Sequence, residues 1–162
     1  MKLKIVAEDK YLPKYANDTD ACMDLKARIP ISNPLPEHIK LTHDELYMII
    51  DPGKTVQVPS GVKVAIPEGY VMKMYVRSST GIKKNLVLAN GTGIIDAGYR
   101  DEIIMALHNI GDRPVKISDG DRICQFILLP FPKIELEQVE DDINFREGDR
   151  GGGIGSTDKK VS

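Results

Sequence analysis

The chain has 162 residues, 41% of them hydrophobic, and a formal net charge of -2. That length and apolar content suit one domain with its own core. The near-neutral charge excludes broad nucleic-acid binding, which needs a basic face.

Cys22 and Cys124 stand in no metal or redox spacing, and His38, His43 and His108 in no ligand spacing. Two buried thiols in a cytoplasmic protein is the plain reading. No secretory segment follows Met1 and no apolar run reaches membrane-spanning length. No membrane contact is expected.

In chain order, "LKIVAED" begins the pattern as a strand. "PEHIKLTHDELYMII" is open between a short helix and a turn, because Thr42 with Glu45 three residues on has the form of a capping box. "KTVQVPSGVKVAIPEGYVMKMYV" alternates apolar and polar residues around Pro-Ser-Gly and Pro-Glu-Gly, which predicts two or three strands with tight turns. "NLVLANG", "DEIIMALHNIG", "PVKISDGDRICQFILLPF" and "KIELEQVE" read as further strands. Many short strands predict an all-β sandwich or barrel. From about residue 141 apolar residues nearly vanish and a glycine run appears. Such a segment cannot bury enough surface to order itself, so it is either a loose tail or an arm that orders over a ligand.

Three stretches carry candidate chemistry. "RSSTG", Arg77 to Gly81, offers a guanidinium fork, the hydroxyls of Ser78 and Ser79, and a glycine that lets backbone cup an anion. The alternative is a polar turn with an exposed arginine. "NGTGIID" pairs Asn90, whose amide could read an imide edge, with Asp96, a possible general base. Asn-Gly is also a strong hairpin signal. Tyr99 could pack on a sugar or be half buried on a sheet. "DRGGGIGST" resembles a phosphate-covering flap, yet it neither follows a strand nor opens a helix, so it is no P-loop.

Five stretches in order resemble the motifs of the homotrimeric dUTPases: "DACMDLKA", "RSSTG", "NGTGIIDAGYRDEI", "GDRICQFIL" and "RGGGIGST". The resemblance covers nearly the whole chain. It implies a distorted jelly-roll β-barrel over residues 1–140 and a flexible arm over 141–162. It also implies a homotrimer with sites between subunits, and hydrolysis of dUTP to dUMP and pyrophosphate by water attack on the α-phosphate. Carried over, Asp96 would activate the water. Asn90 with main chain at Gly93 and Ile95 would read uracil, and Tyr99 would exclude a ribose. Arg77, Ser78, Ser79, Gly81, Gln125, Arg150, Gly155, Ser156 and Thr157 would hold the phosphates. Ile154 would stand where the family has a stacking Phe. Mg²⁺ would ride on the triphosphate, with Asp24 in its outer shell through water.

Departures from the family pattern are Cys22 for Gly, Val76 for Pro and Asp101 for Gly. An insertion at about 28–51 is read as a surface loop, or as the surface of a regulatory protein partner in a nucleotide-gated binder. A third reading, a dCTP deaminase, fails because that relative's catalytic Glu would fall at Ala106 and its second Arg at Ile82.

Overall fold

The computed structural model describes residues 1–139 except 33, together with Gly148. Residues 1–132 form one compact unit; residues 133–162 form a second. The first is an all-β, jelly-roll-like barrel. Its strands are β1 (Lys4–Val6), β2 (Met23–Lys26), β3 (Ile39–Leu41), β4 (Leu46–Ile50), β5 (Thr55–Pro59) and β6 (Lys63–Ala65). Then come β7 (Tyr70–Val76), helix α1 (Ser78–Lys84), β8 (Leu86–Leu88), β9 (Gly93–Ile95), β10 (Ile104–Asn109), β11 (Val115–Ser118) and β12 (Arg122–Pro130).

Among the described residues the strands join as β2-β12-β7-β9, β5-β10-β8, β11-β4-β3 and β1-β6, each neighbouring pair antiparallel. The period of two sends alternate side chains inward. Leu25, Met48, Ile50, Met72, Met105, Leu107, Ile117 and Ile123 are thereby buried in one core. The Pro-Ser-Gly and Pro-Glu-Gly breaks are turns, with Gly61 and Gly69 in the left-handed region at φ 72° and 80°.

Two expectations are corrected. The stretch 36–50, part of the insertion read as a surface loop, is a β-hairpin; of the helix and the turn left open there, the turn holds, at Thr42–Glu45. Thr42 Oγ1 accepts the Glu45 N–H at 3.1 Å, as in a capping box, but the Thr42 N–H donates back to the Glu45 carbonyl at 2.9 Å and turns the chain round. Strand β4 then pairs with β11, Ile50 opposite Val115 and Met48 opposite Ile117. The hairpin's inner face is therefore spent on the core rather than offered as a surface loop. The second correction is "KIELEQVE". Residues 133–139 form no strand, and Ile134 and Leu136 are exposed. Alternation makes a strand only where a neighbour supplies the ladder, and among the described residues none does.

Asn109 shows how a buried polar group fixes two turns. It is fully buried at the end of β10. Its amide donates to the carbonyls of Ile50 and Arg113, both at 2.8 Å, and its Oδ1 accepts the Gly111 N–H at 2.9 Å. Asn109→Ala leaves that donor and those acceptors unpaired. We expect a loss of about 2–4 kcal/mol in unfolding free energy, read from the urea midpoint.

Candidate active site

Strand β7 organises the site because it carries chemistry at both ends. Its C-terminal end delivers Arg77, whose N–H is fixed to the Ile123 carbonyl at 3.1 Å. In the neighbouring strands Asp24, Gln125 and Tyr75 stand opposite one another across β2, β12 and β7. They share a face, and Leu25, Cys124 and Met74 are buried on the other. Asp24 and Gln125, with Arg77, Ser78, Asn17, Asp20 and Cys22, wall a cleft of about 360 Å³.

Asp24 is the electrostatic centre of this cleft. It is 9% exposed. Arg77 Nε meets its Oδ1 at 2.9 Å and an Arg122 amino group meets its Oδ2 at 3.1 Å. Arg77 also donates to the Arg122 carbonyl at 3.2 Å. Two guanidiniums meet one carboxylate here, and Asp20 on the same cleft wall balances the remaining charge, so what the cleft offers a phosphate is guanidinium N–H donors rather than net positive charge. Of the two thiols expected to be buried, Cys124 is and Cys22 is half-buried. That partial burial, with Asp20 and Asp24 adding to it, holds the Cys22 thiol above its ordinary pKa. A neutral thiol puts no charge against a phosphate.

The expected anion-cupping turn at "RSSTG" is the start of helix α1. Ser78 and Ser79 are exposed at its first turn, and the Gly81 N–H is spent on the Arg77 carbonyl at 3.0 Å. The hydroxyls remain available; the Gly81 amide does not.

Strand β9, paired with Met72 to Met74 in the middle of β7, carries the second cleft, about 230 Å³, walled by Asn90, Gly93, Ile95, Asp96, Tyr99 and the Met74 side chain among others. Strand β9 brings them there by pairing Ile95 with Met72 and Gly93 with Met74. Gly93 lies tight against its neighbour: a Cβ there would stand 2.7 Å from Met74 Cε and 3.0 Å from Met74 Cβ. In Gly93→Ala the Met74 methyl has to swing aside and the Met74 Cβ contact has to open by a few tenths of an ångström. We expect about 1–3 kcal/mol of destabilisation in chemical denaturation, with lower turnover because Asp96 follows β9 directly.

Asp96 is exposed, and among the described residues its carboxylate has no hydrogen-bond partner. It contrasts with Asp24, whose oxygens are taken. A free carboxylate at a cleft wall can accept a proton from water; one clasped by two guanidiniums cannot. Tyr99 lies beside it, 38% exposed, its hydroxyl donating to the Glu102 carbonyl at 2.7 Å.

The structure thus groups Asp24, Arg77, Ser78 and Gln125 in one cleft and Asn90, Gly93, Ile95, Asp96 and Tyr99 in another. It does not bring the two groups together. Asp96 falls level with the start of β7 and Arg77 just past its end. Six residues of strand separate those levels, about 20 Å at ~3.3 Å per residue. The expectations on Arg150, Ile154, Gly155, Ser156 and Thr157 lie outside the described residues. Arg122, Asn17 and Asp20 are site residues that the motif reading passed over. Arg122 stood inside "GDRICQF", and its type alone was the signal.

Among the described residues no group of three or more His, Cys, Asp or Glu side chains is placed to hold a metal ion. Among the same residues no helix is long and apolar enough to cross a membrane.

Comparison with known proteins gives one family throughout. The dUTPase family model matches residues 38–157. A deoxyuridine 5'-triphosphate nucleotidohydrolase of Clostridium tetani is 35% identical over 160 residues, covering 98% of this chain and 97% of its own. The crystal structure of dUTPase from Streptococcus mutans superposes with a TM-score of 0.66 at 27% identity, over 83% of this chain and 99% of that one. A mutant dUTPase from phage phi11 of S. aureus, described as coordinating a structural Mg(II) ion, superposes at 0.68 with 24% identity, over 87% and 98%. With the motifs in order, their side chains sorted into two clefts and the match running along most of its length, the chain belongs to the dUTPase family.

Proposed function

We infer that the protein hydrolyses dUTP to dUMP and pyrophosphate, which removes a source of uracil in DNA and supplies dUMP. The observation that carries this reading is the division of labour along β7. One end holds an uncommitted carboxylate beside an amide and a tyrosine, and the other a cleft in which two guanidiniums clasp one carboxylate. Asp96 takes a proton from water as the water attacks the α-phosphorus. Arg77, with Ser78, Ser79 and Gln125, binds the phosphates and offsets the charge that gathers on the departing pyrophosphate. Asn90 and the main chain at Gly93 and Ile95 pair with the uracil edge. The Tyr99 ring fills the space a 2'-hydroxyl would need.

The separation of the clefts favours a site assembled between subunits. A homotrimer in which Asp96 of one protomer faces the Arg77 cleft of the next supplies in one place what a single protomer keeps about 20 Å apart. The arm, with Arg150, Ile154, Gly155, Ser156 and Thr157, closes over the nucleotide in this reading.

The residues present fit magnesium as an ion carried in on the phosphates, not as one held by the protein. Asp24 is already clasped by Arg77 and Arg122, so it suits an outer-shell role through water. Bound there, Mg²⁺ supplies charge neutralisation on the triphosphate. A cytoplasmic enzyme acting on free nucleotide fits all of this.

Hydrolysis in water enriched in heavy oxygen tests the reaction. The label should enter dUMP and not pyrophosphate. Label in pyrophosphate would place the attack on the β-phosphorus, and ammonia release from dCTP would replace the reading with a deaminase.

A further inference from the structure

Tyr99 is held by its surroundings at the backbone and at its hydroxyl, not by packing. Its N–H donates to the Asp96 carbonyl at 3.1 Å, and its hydroxyl to the Glu102 carbonyl at 2.7 Å. Residue 102 is itself anchored. Its carboxylate receives Arg28 Nε at 3.0 Å and an Arg28 amino group at 2.7 Å, a two-armed ion pair. The same carboxylate accepts the Gly61 N–H at 2.6 Å. Ile103 then closes on the same turn, donating to Val62 at 2.9 Å and accepting from Ser60 at 3.1 Å. Arg28 is tied there too, its N–H on the Pro59 carbonyl at 2.8 Å. A Cβ on Gly61 would meet Arg28 Cδ and the Tyr11 ring, each at 3.0 Å, so the turn is shaped to let Arg28 lie across it. Burial alone would favour the neutral Glu102 acid, but the Arg28 and Gly61 contacts outweigh it and hold the carboxyl below its ordinary pKa.

Excluding a hydroxyl needs a wall that does not recede. A ring on an exposed loop recedes unless something fixes the loop. Here the exposed span 98–101 runs between β9 and the anchored residue 102. We propose that the Arg28–Glu102 pair is the positioning device for sugar discrimination, setting where the Tyr99 ring stands. This rests on the reading of Tyr99 as the residue that excludes ribose. Arg28 and Glu102 touch no substrate in this scheme. Loss of the pair would let the span relax away from the sugar. A deoxyribose leaves that space empty and gains nothing; a ribose gains entry. Any displacement of Asp96 slows both nucleotides alike and cancels in their ratio.

The test is the ratio of kcat/KM for dUTP to that for UTP in the full-length protein. Glu102→Gln, Arg28→Met and Tyr99→Phe should each lower the ratio about tenfold or more, chiefly by raising the UTP value. Arg28→Lys, which keeps the charge but loses the fork, should fall between. A purely architectural pair would lower both values together and leave the ratio unchanged, and that result overturns the proposal. If Glu102→Gln fails to fold, Tyr99→Phe decides, since it removes only the hydroxyl tether from an exposed ring. Tyr99→Ala separates the two levels. An unchanged ratio there sinks the reading of Tyr99 and the proposal with it. A lowered ratio there, with none in Glu102→Gln and Tyr99→Phe, sinks the proposal alone.

Discussion

Asp96→Asn should lower kcat for dUTP by roughly 10²–10⁴-fold, the range a positioned general base supplies, while the protein still binds dUTP. The amide is isosteric with the carboxylate but cannot accept the proton that leaves the water. Folding should be untouched, because Asp96 is exposed and among the described residues its carboxylate bonds to nothing. Binding should persist, because in the proposed reading the Arg77 cleft holds the phosphates and Asn90 the base. Single-turnover hydrolysis and equilibrium binding, measured on the same preparation, separate the two effects. Near wild-type turnover would remove Asp96 as the base. Asp24 is a poor replacement on geometry, with Arg77 at 2.9 Å and Arg122 at 3.1 Å already on its two oxygens.

The same comparison of two aspartates shows what the sequence could and could not convey. Both stand in recognisable motifs, so their presence at a site was legible. Their opposite states were not, since Asp24 meets partners 53 and 98 positions away in the chain. Arg28 and Glu102 make the point more sharply. A two-armed ion pair across 74 positions leaves no local pattern, and neither residue drew notice before the fold brought them together.

Local signals also proved ambiguous in a specific way. Thr42 and Glu45 make the hydrogen bond a capping box would make, yet the chain is a hairpin. What decides is β11, which offers β4 a ladder from Val115 to Ser118, and nothing within residues 36–50 announces it. Conversely, Ile134 and Leu136 alternate as in a strand and find no ladder. At "RSSTG" the helix is seven residues long, too short for a 3.6 period to show. The regular strands from Lys54 to Val76 were legible because alternation, turn glycines and burial all agree there.

Mixing two inactive variants should restore activity if the site is shared between subunits. Arg77→Met removes the fork that faces the phosphates, and Asp96→Asn removes the base. Each pure trimer then lacks one half of every site. Within one protomer the two residues lie at opposite ends of β7, about 20 Å apart on a strand rise of ~3.3 Å per residue, which is too far for both to act on one α-phosphate. In a mixed trimer, some sites take their Arg77 cleft from an Asp96→Asn protomer and their Asp96 from an Arg77→Met protomer. With equal amounts and random assortment, each condition is met half the time. About one quarter of the sites should then be intact, as a cyclic assembly requires. Co-refolding the two variants from denaturant and measuring pyrophosphate release should give about that fraction of wild-type activity. Mixing without unfolding should give only the sum of the two residual activities until subunits exchange. A site contained in one protomer predicts no recovery under either protocol, because every protomer in the pool then carries a defect of its own.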